Sequence, residues 1–188
     1  MTLKINYLDT KKGLSNDTAL FLVNDTKISE FKGIFDDKIN QKIVNYLKKS
    51  KNSKNNKNNK IDSINIDFDQ KVLLILLFGK NNAQASEELG AKFYDYIKKN
   101  EIHNIAIVGS NNSSTKNKIL LNQFLHGAEL KSYEFNLYKT KKSKKKITIN
   151  ILKRKNLINP KIKYKLDALL KGVNFTKDLV SEPGNILH

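Results

Sequence analysis

The sequence predicts an α/β fold. Strand-length runs that are apolar or alternating recur along the chain, stretches with helical apolar spacing fall between them, and Val72 to Phe78 (VLLILLF) is apolar at every position. Such a run suits a strand covered on both faces, and interleaving of the two periods points away from a helix bundle or a β-sandwich.

Each element has its own signal. Leu3 to Leu8 alternates apolar and polar residues and Thr18 to Val23 is a short apolar run, so both read as strands. Asp36 to Ser50 changes period: Ile39, Ile43, Val44 and Leu47 share a helical face, with Asp36 or Asp37 placed to cap its start. Lys51 to Lys60 (KNSKNNKNNK) has no apolar side chain to offset the entropy of ordering, which predicts a flexible surface insert. Ile61 to Phe68 alternates again, and Val72 to Phe78 is expected to be the central strand.

In the second half, a helix over Ser86 to Asn100 carries Leu89, Phe93 and Ile97 on one stripe, and Ile102 to Val108 returns as a buried strand. The polar turn Gly109 to Ser114 leads into a helix over Lys116 to Ser132, striped by Leu120, Phe124 and Ala128. Lys146 to Leu152 (KITINIL) alternates as a strand expected near a sheet edge. Pro160 opens a last helix bearing Ile162, Leu166, Leu169, Val173 and Val180, and Pro183-Gly184 ends it.

Composition narrows the function classes. The 188 residues carry a formal charge of +17, which directs attention to polyanions or membrane surfaces. Against that, nearly every cation is lysine and Arg154 is the sole arginine, the residue type that reads phosphate and guanine bidentately. Lysine, asparagine and isoleucine are abundant together, so compositional bias is a second source of the charge. With no cysteine, disulfides, thiol nucleophiles and thiolate metal sites are excluded from this segment, which fits a reducing cytoplasm. The start MTLKINYLDTKK has no apolar run of signal-peptide length, and the longest apolar run is far too short to span a bilayer, so no membrane partner is expected.

Chemistry-bearing constellations are sparse. His103, His126 and His188 are dispersed, with no second histidine or carboxylate at helical ligand spacing, and Glu87-Glu88 suits a helix start. No acid/base pair, nucleophilic triad or metal cluster can be assembled. Gly109 to Ser114 lies where backbone amides can meet an anion, although a plain serine-capped β-to-α turn is the simpler reading. Lys139, Lys141, Lys142, Lys144, Lys145 and Lys146 put six lysines into eight positions. They are candidate nucleic-acid contacts, salt-sensitive and poor in sequence preference for want of interleaved aromatics and arginines; a solvated loop guarding an edge strand is the other reading.

Two stretches resemble the cytosol (leucyl) aminopeptidase family. Gly127, Leu130, Ser132, Tyr133, Phe135, Tyr138, Lys139 and Thr140 match its G-x-x-L-x-S-Y-x-F-x-x-Y-K-T segment. Gly172 to Val180 then resembles its G-x-x-x-A/T-R-D-L-V, with Lys177 where arginine is usual, and DLVSEPGNILH (Asp178 to His188) resembles the signature leading into the catalytic domain. Ser181 stands there for asparagine and Gly184 for alanine or proline.

The resemblance implies a three-layer, mixed-sheet, macro-domain-like amino-terminal domain over residues 1–157, with residues 51–60 as an insert. Residues 158–188 form the inter-domain helix and the start of a catalytic domain. It further implies a cytoplasmic, homo-hexameric metalloaminopeptidase that removes amino-terminal residues from peptides with two divalent ions, zinc or manganese. The family's metal ligands lie beyond its signature, so no residue of this chain takes a catalytic, cofactor-binding or metal role and the chain alone is expected to be inactive. A nucleic-acid-binding module using the lysine-rich loops (DNA is also a partner of some bacterial members) and a macro-like small-ligand binder at Gly109 to Ser114 are the alternatives.

Overall fold

The computed structural model describes residues 3–8, 17–23, 35–52, 58–65, 71–79, 82–109, 114–139, 146–152 and 158–183. Their elements run β1 (Leu3–Leu8), β2 (Thr18–Val23), α1 (Asp37–Asn52), β3 (Lys60–Asn65), β4 (Lys71–Leu77), α2 (Ala83–Lys99), β5 (Asn104–Val108), α3 (Thr115–Lys131), β6 (Ile147–Leu152) and α4 (Pro160–Ser181). The strands form one sheet in the order β1-β6-β5-β2-β4-β3, parallel throughout except for β3, which pairs antiparallel with β4 at one edge.

The sheet is the middle of three layers. On one face, Phe21, Ile75, Ile107 and Ile149 join Leu89, Phe93 and Phe124 of α2 and α3 in the larger core. On the other, Leu20, Leu22, Val72, Leu74 and Leu76 meet Ile39, Ile43 and Leu47 of α1. Burying one such aliphatic side chain contributes about 1.5–3 kcal/mol, so the alternating strand residues stabilise both layers at once. Tyr46 donates a short hydrogen bond to Asp62, and Lys60 pairs with the same carboxylate at 3.0 Å, pinning α1 to the edge strand β3.

The position of β4 differs from expectation. The all-apolar β4 is not central: it sits one in from the edge, and its pattern reflects helices on both faces, not its rank in the sheet. β6 lies near a sheet edge, as expected, one strand in from it. β1 covers its outer side, and it alternates because Ile147, Ile149 and Ile151 enter the larger core while Thr148 and Asn150 face a part of the sheet beyond the α1 core. There Asn6 donates to Asn150 at 3.0 Å and Asn150 to Asn104 at 2.7 Å, a polar ladder crossing three strands. Of the expected insert at Lys51 to Lys60, Lys51 and Asn52 end α1 and Lys60 starts β3; residues 53–57 lie outside the described residues.

Helices α2 and α3 form the tightest pair. A β-carbon built on Gly90 would stand 1.8 Å from the Phe124 carbonyl oxygen, and one on Gly127 would stand 1.9 Å from the Glu87 carbonyl oxygen. Ser86, one turn before Gly90 and fully buried, donates its hydroxyl to Leu120 O at 2.7 Å. Backbone thus meets backbone, and Phe124 is brought to 5.3 Å from the Phe21 ring and 5.2 Å from Phe93. Asn82 caps α2 by accepting from Ala85 N at 2.8 Å, so this helix begins before the Ser86 that the apolar stripe suggests.

Gly90→Ala and Gly127→Ala should each cost about 3 kcal/mol or more, because the clash is with backbone and can be relieved only by separating the helices. Gly172→Ala in α4, where nothing lies within 4 Å, should instead stabilise by about 0.5–1 kcal/mol through helix propensity. Urea unfolding of the three variants checks both signs.

Candidate functional site

The candidate site is α4. Asn159 caps it by accepting from Ile162 N at 3.3 Å, and Pro160 opens its first turn. Of its 22 residues only Leu166 and Leu170 are buried apolar side chains, seated against the domain at 7% exposure each. A helix held by so little core contact needs further fastening.

That fastening comes from the segment after α3. Ser132, fully buried, returns its hydroxyl to Glu129 O at 2.8 Å and closes the helix. Tyr133 then donates to Asp178 at 2.8 Å, and Tyr138 makes a short hydrogen bond to Glu182. Lys177 donates to Leu130 O at 3.3 Å and places its ammonium 5.0 Å from the Tyr133 ring centre. Glu134 is anchored in turn to Lys98 of α2 at 2.9 Å. The two motif stretches, separated in sequence by β6 and the first twelve residues of α4, are therefore the two halves of one clasp.

The clasp leaves much of α4 apolar and uncovered. Tyr164 (80% exposed), Leu169 (49%), Val173 (38%) and Val180 (81%), together with Tyr133, line an open groove of about 920 Å³. Phe175 and Leu179 add further exposed apolar surface. A helix apolar on more than the face it buries is suited to lie between two bodies.

The other sequence candidates are placed as follows. Lys139 and Lys146 are exposed, at the end of the segment after α3 and just before β6; Lys141, Lys142, Lys144 and Lys145 lie outside the described residues. Because β6 is internal, the reading of this run as guarding an edge strand does not hold. Of Gly109 to Ser114, residues 110–113 lie outside the described residues, while Ser114 caps α3 by accepting from Asn117 N at 3.3 Å. His103 is exposed, His188 lies outside the described residues, and His126 is buried. Among the described residues no group of three or more histidine, cysteine or acidic side chains is arranged to hold a metal ion. No described helix is long and apolar enough to cross a membrane.

Known proteins share this fold. A tomato leucine aminopeptidase mutant superposes with a TM-score of 0.61 at 18% identity, covering 98% of this chain and 39% of that one. A probable cytosol aminopeptidase of Phytoplasma mali (strain AT) is 46% identical over 70 residues, 34% of this chain and 14% of the relative. The chain has a cytosol aminopeptidase-like amino-terminal-domain fold. The bottromycin maturation enzyme BotP in complex with Mn shares the fold at a TM-score of 0.54 and 11% identity, over 92% of this chain and 33% of that one. No family model matches. The chain spans well under two thirds of the length of each of these relatives.

With so few buried contacts on α4, hydrogen exchange should find the amides of Asp178 to Ser181 exchanging much faster than those of Val72 to Leu77. Equal protection of the two segments at low protein concentration would mean that the clasp alone secures the helix.

Proposed function

We propose that this chain is the non-catalytic amino-terminal part of a leucyl-type metalloaminopeptidase, and that it supports assembly of the enzyme. Residues 1–157 are the domain proper, and residues 158–188 are the inter-domain helix and the beginning of the catalytic domain. The observation that carries the reading is the second apolar face of α4, centred on Leu169, Val173 and Val180, which is available to the enzyme's own catalytic domain. The parent enzyme acts in the cytoplasm on peptide amino termini, assembles as a hexamer, and uses two zinc or manganese ions. Those ions do not fit the described residues of this chain, which offer no ligand cluster, so no step of hydrolysis is assigned to it.

The test is a reconstitution. The chain alone should give no metal-dependent turnover of a leucine chromogenic substrate with manganese or zinc. It should capture the catalytic portion of the phytoplasma relative, and a Val173→Asp, Val180→Asp double variant should lose that capture. Both side chains are exposed, so urea stability should stay within about 0.5 kcal/mol per site. Turnover by the chain alone, or capture unaffected by the two aspartates, overturns the proposal.

A second reading rests on the charge of +17 and the exposed Lys139 and Lys146: a nucleic-acid contact made by the lysine run from Lys139 to Lys146. Phosphate neutralisation would make its affinity for duplex DNA fall steeply between 50 and 200 mM salt, roughly tenfold or more for each few phosphates contacted. No binding at the lower salt removes this reading.

A further inference from the structure

Among the described helices, Gly90 and Gly127 each leave room for the backbone of the opposite helix, whereas Gly172 of α4 has nothing within 4 Å. At about 3.6 residues per turn, Gly172 points away from Leu166 and Leu170, the pair that seats α4 on the domain. Ala168 and Thr176 lie one turn to either side of it. Exposed Leu169 and Val173 rise along one flank and exposed Phe175 and Leu179 along the other, so the outer face of α4 is a shallow valley with apolar walls. The Thr176 hydroxyl donates to the Gly172 carbonyl at 3.0 Å, which leaves the floor of the valley no hydroxyl in need of a polar partner.

The rim of this valley is cationic. Lys161 and Lys165 stand on its amino-terminal reach and Lys171 beside it, all three exposed, and Lys165 lines the groove itself. The aspartates of α4 are engaged elsewhere: Asp167 pairs at 2.6 Å with Lys163, whose ammonium lies 5.8 Å from the Tyr7 ring centre, and Asp178 accepts from Tyr133. A second copy would set lysine against lysine across the contact, on chains of formal charge +17 each, and like charges so placed disfavour self-association. A partner with carboxylates at that end is attracted where a second copy is repelled.

We propose that the Gly172 face of α4 is the seat of a second α-helix, supplied by the catalytic part of the enzyme, apolar along its seam and bearing carboxylates opposite Lys161 and Lys165. The proposal rests on the assembly reading and adds to it the shape of the partner, its charge and its point of closest approach.

A helix is the shape that such a valley accepts, because the side-chain ridge of one helix fits the groove between two ridges of another. The missing β-carbon of Gly172 lets the two axes approach to the lower end of the usual range of about 8–10 Å. In the chain alone the same glycine weakens α4, since it loses more backbone entropy than alanine and packs against nothing. Gly172→Ala therefore has two effects of opposite sign: the methyl group favours the free helix and obstructs the docked one. A purely structural role for Gly172 would move both in the same direction. Lys161 and Lys165 act at longer range, and their attraction weakens as salt screens it.

The test co-expresses the chain with the catalytic portion of the phytoplasma relative, so that neither part need fold alone, and measures how fast the captured portion dissociates. Gly172→Ala should speed dissociation roughly tenfold while the urea midpoint of the chain alone stays level or rises. A Lys161→Glu, Lys165→Glu double variant should also speed it, and should remove the weakening of capture that the unsubstituted chain shows as salt is raised from about 0.05 to 0.3 M. Capture that Val173→Asp, Val180→Asp abolishes but Gly172→Ala leaves at the original rate overturns the helix seat and spares the assembly reading. Dissociation and salt dependence unmoved by the two glutamates overturn the acidic partner. No capture by the unsubstituted chain overturns the assembly reading and the seat together. Sedimentation of the chain alone covers the remaining occupant: a dimer that Gly172→Ala disperses assigns the face to a second copy and overturns the proposal.

Discussion

Everything on the larger-core face of the sheet depends on how closely α2 and α3 cross. At Gly90 and Gly127 each helix uses the missing side chain of the other as the place for its own backbone carbonyl. This reciprocal contact lets Ser86 reach the Leu120 carbonyl and drives Phe124 down between Phe21 and Phe93. Packed interiors shift by discrete rearrangement and not by gradual yielding, so a methyl group at either glycine would displace α3 as a unit. With α3 would go the segment that follows it.

That segment matters because it is the only stretch between α3 and β6 whose described residues grip α4. Gly127 fixes the helix, Ser132 closes it, and Tyr133 and Tyr138 then reach Asp178 and Glu182, while Lys177 returns to the Leu130 carbonyl and the Tyr133 ring. Residues that look in sequence like two separate signatures are one mechanical joint. Lysine in place of the usual arginine at Lys177 retains the cation over the ring, but gives up the planar fork that would hold several acceptors together.

The joint also explains why α4 is simultaneously attached and incomplete. Leu166 and Leu170 supply only a few kcal/mol of burial, and the rest of the attachment is polar, at the carboxy-terminal end of the helix and around Lys163. Polar attachments of this kind are sensitive to charge and to salt in a way that an apolar seam is not. The exposed Leu169, Val173 and Val180 meanwhile offer apolar area that the described residues of this domain do not cover.

Local periodicity determined much of this protein by itself. The alternation of Leu3 to Leu8, the unbroken Val72 to Phe78 and the stripes of Leu89, Phe93 and Ile97 mark elements that the structure contains, because facing one or two apolar layers is recorded in neighbouring residues. Strand order was not recorded in that way. A strand next to the edge and a central one are equally apolar when helices cover both faces, so β4 reads as central although only β3 lies outside it. The motif residues were visible, but their mutual contacts were not, since Tyr133 and Asp178 meet only after α3 has been fixed by a crossing over 40 residues earlier in the chain at Gly90. His126 looks in sequence like an ordinary helix residue; its burial beside Glu87 is decided only by how α2 and α3 pack.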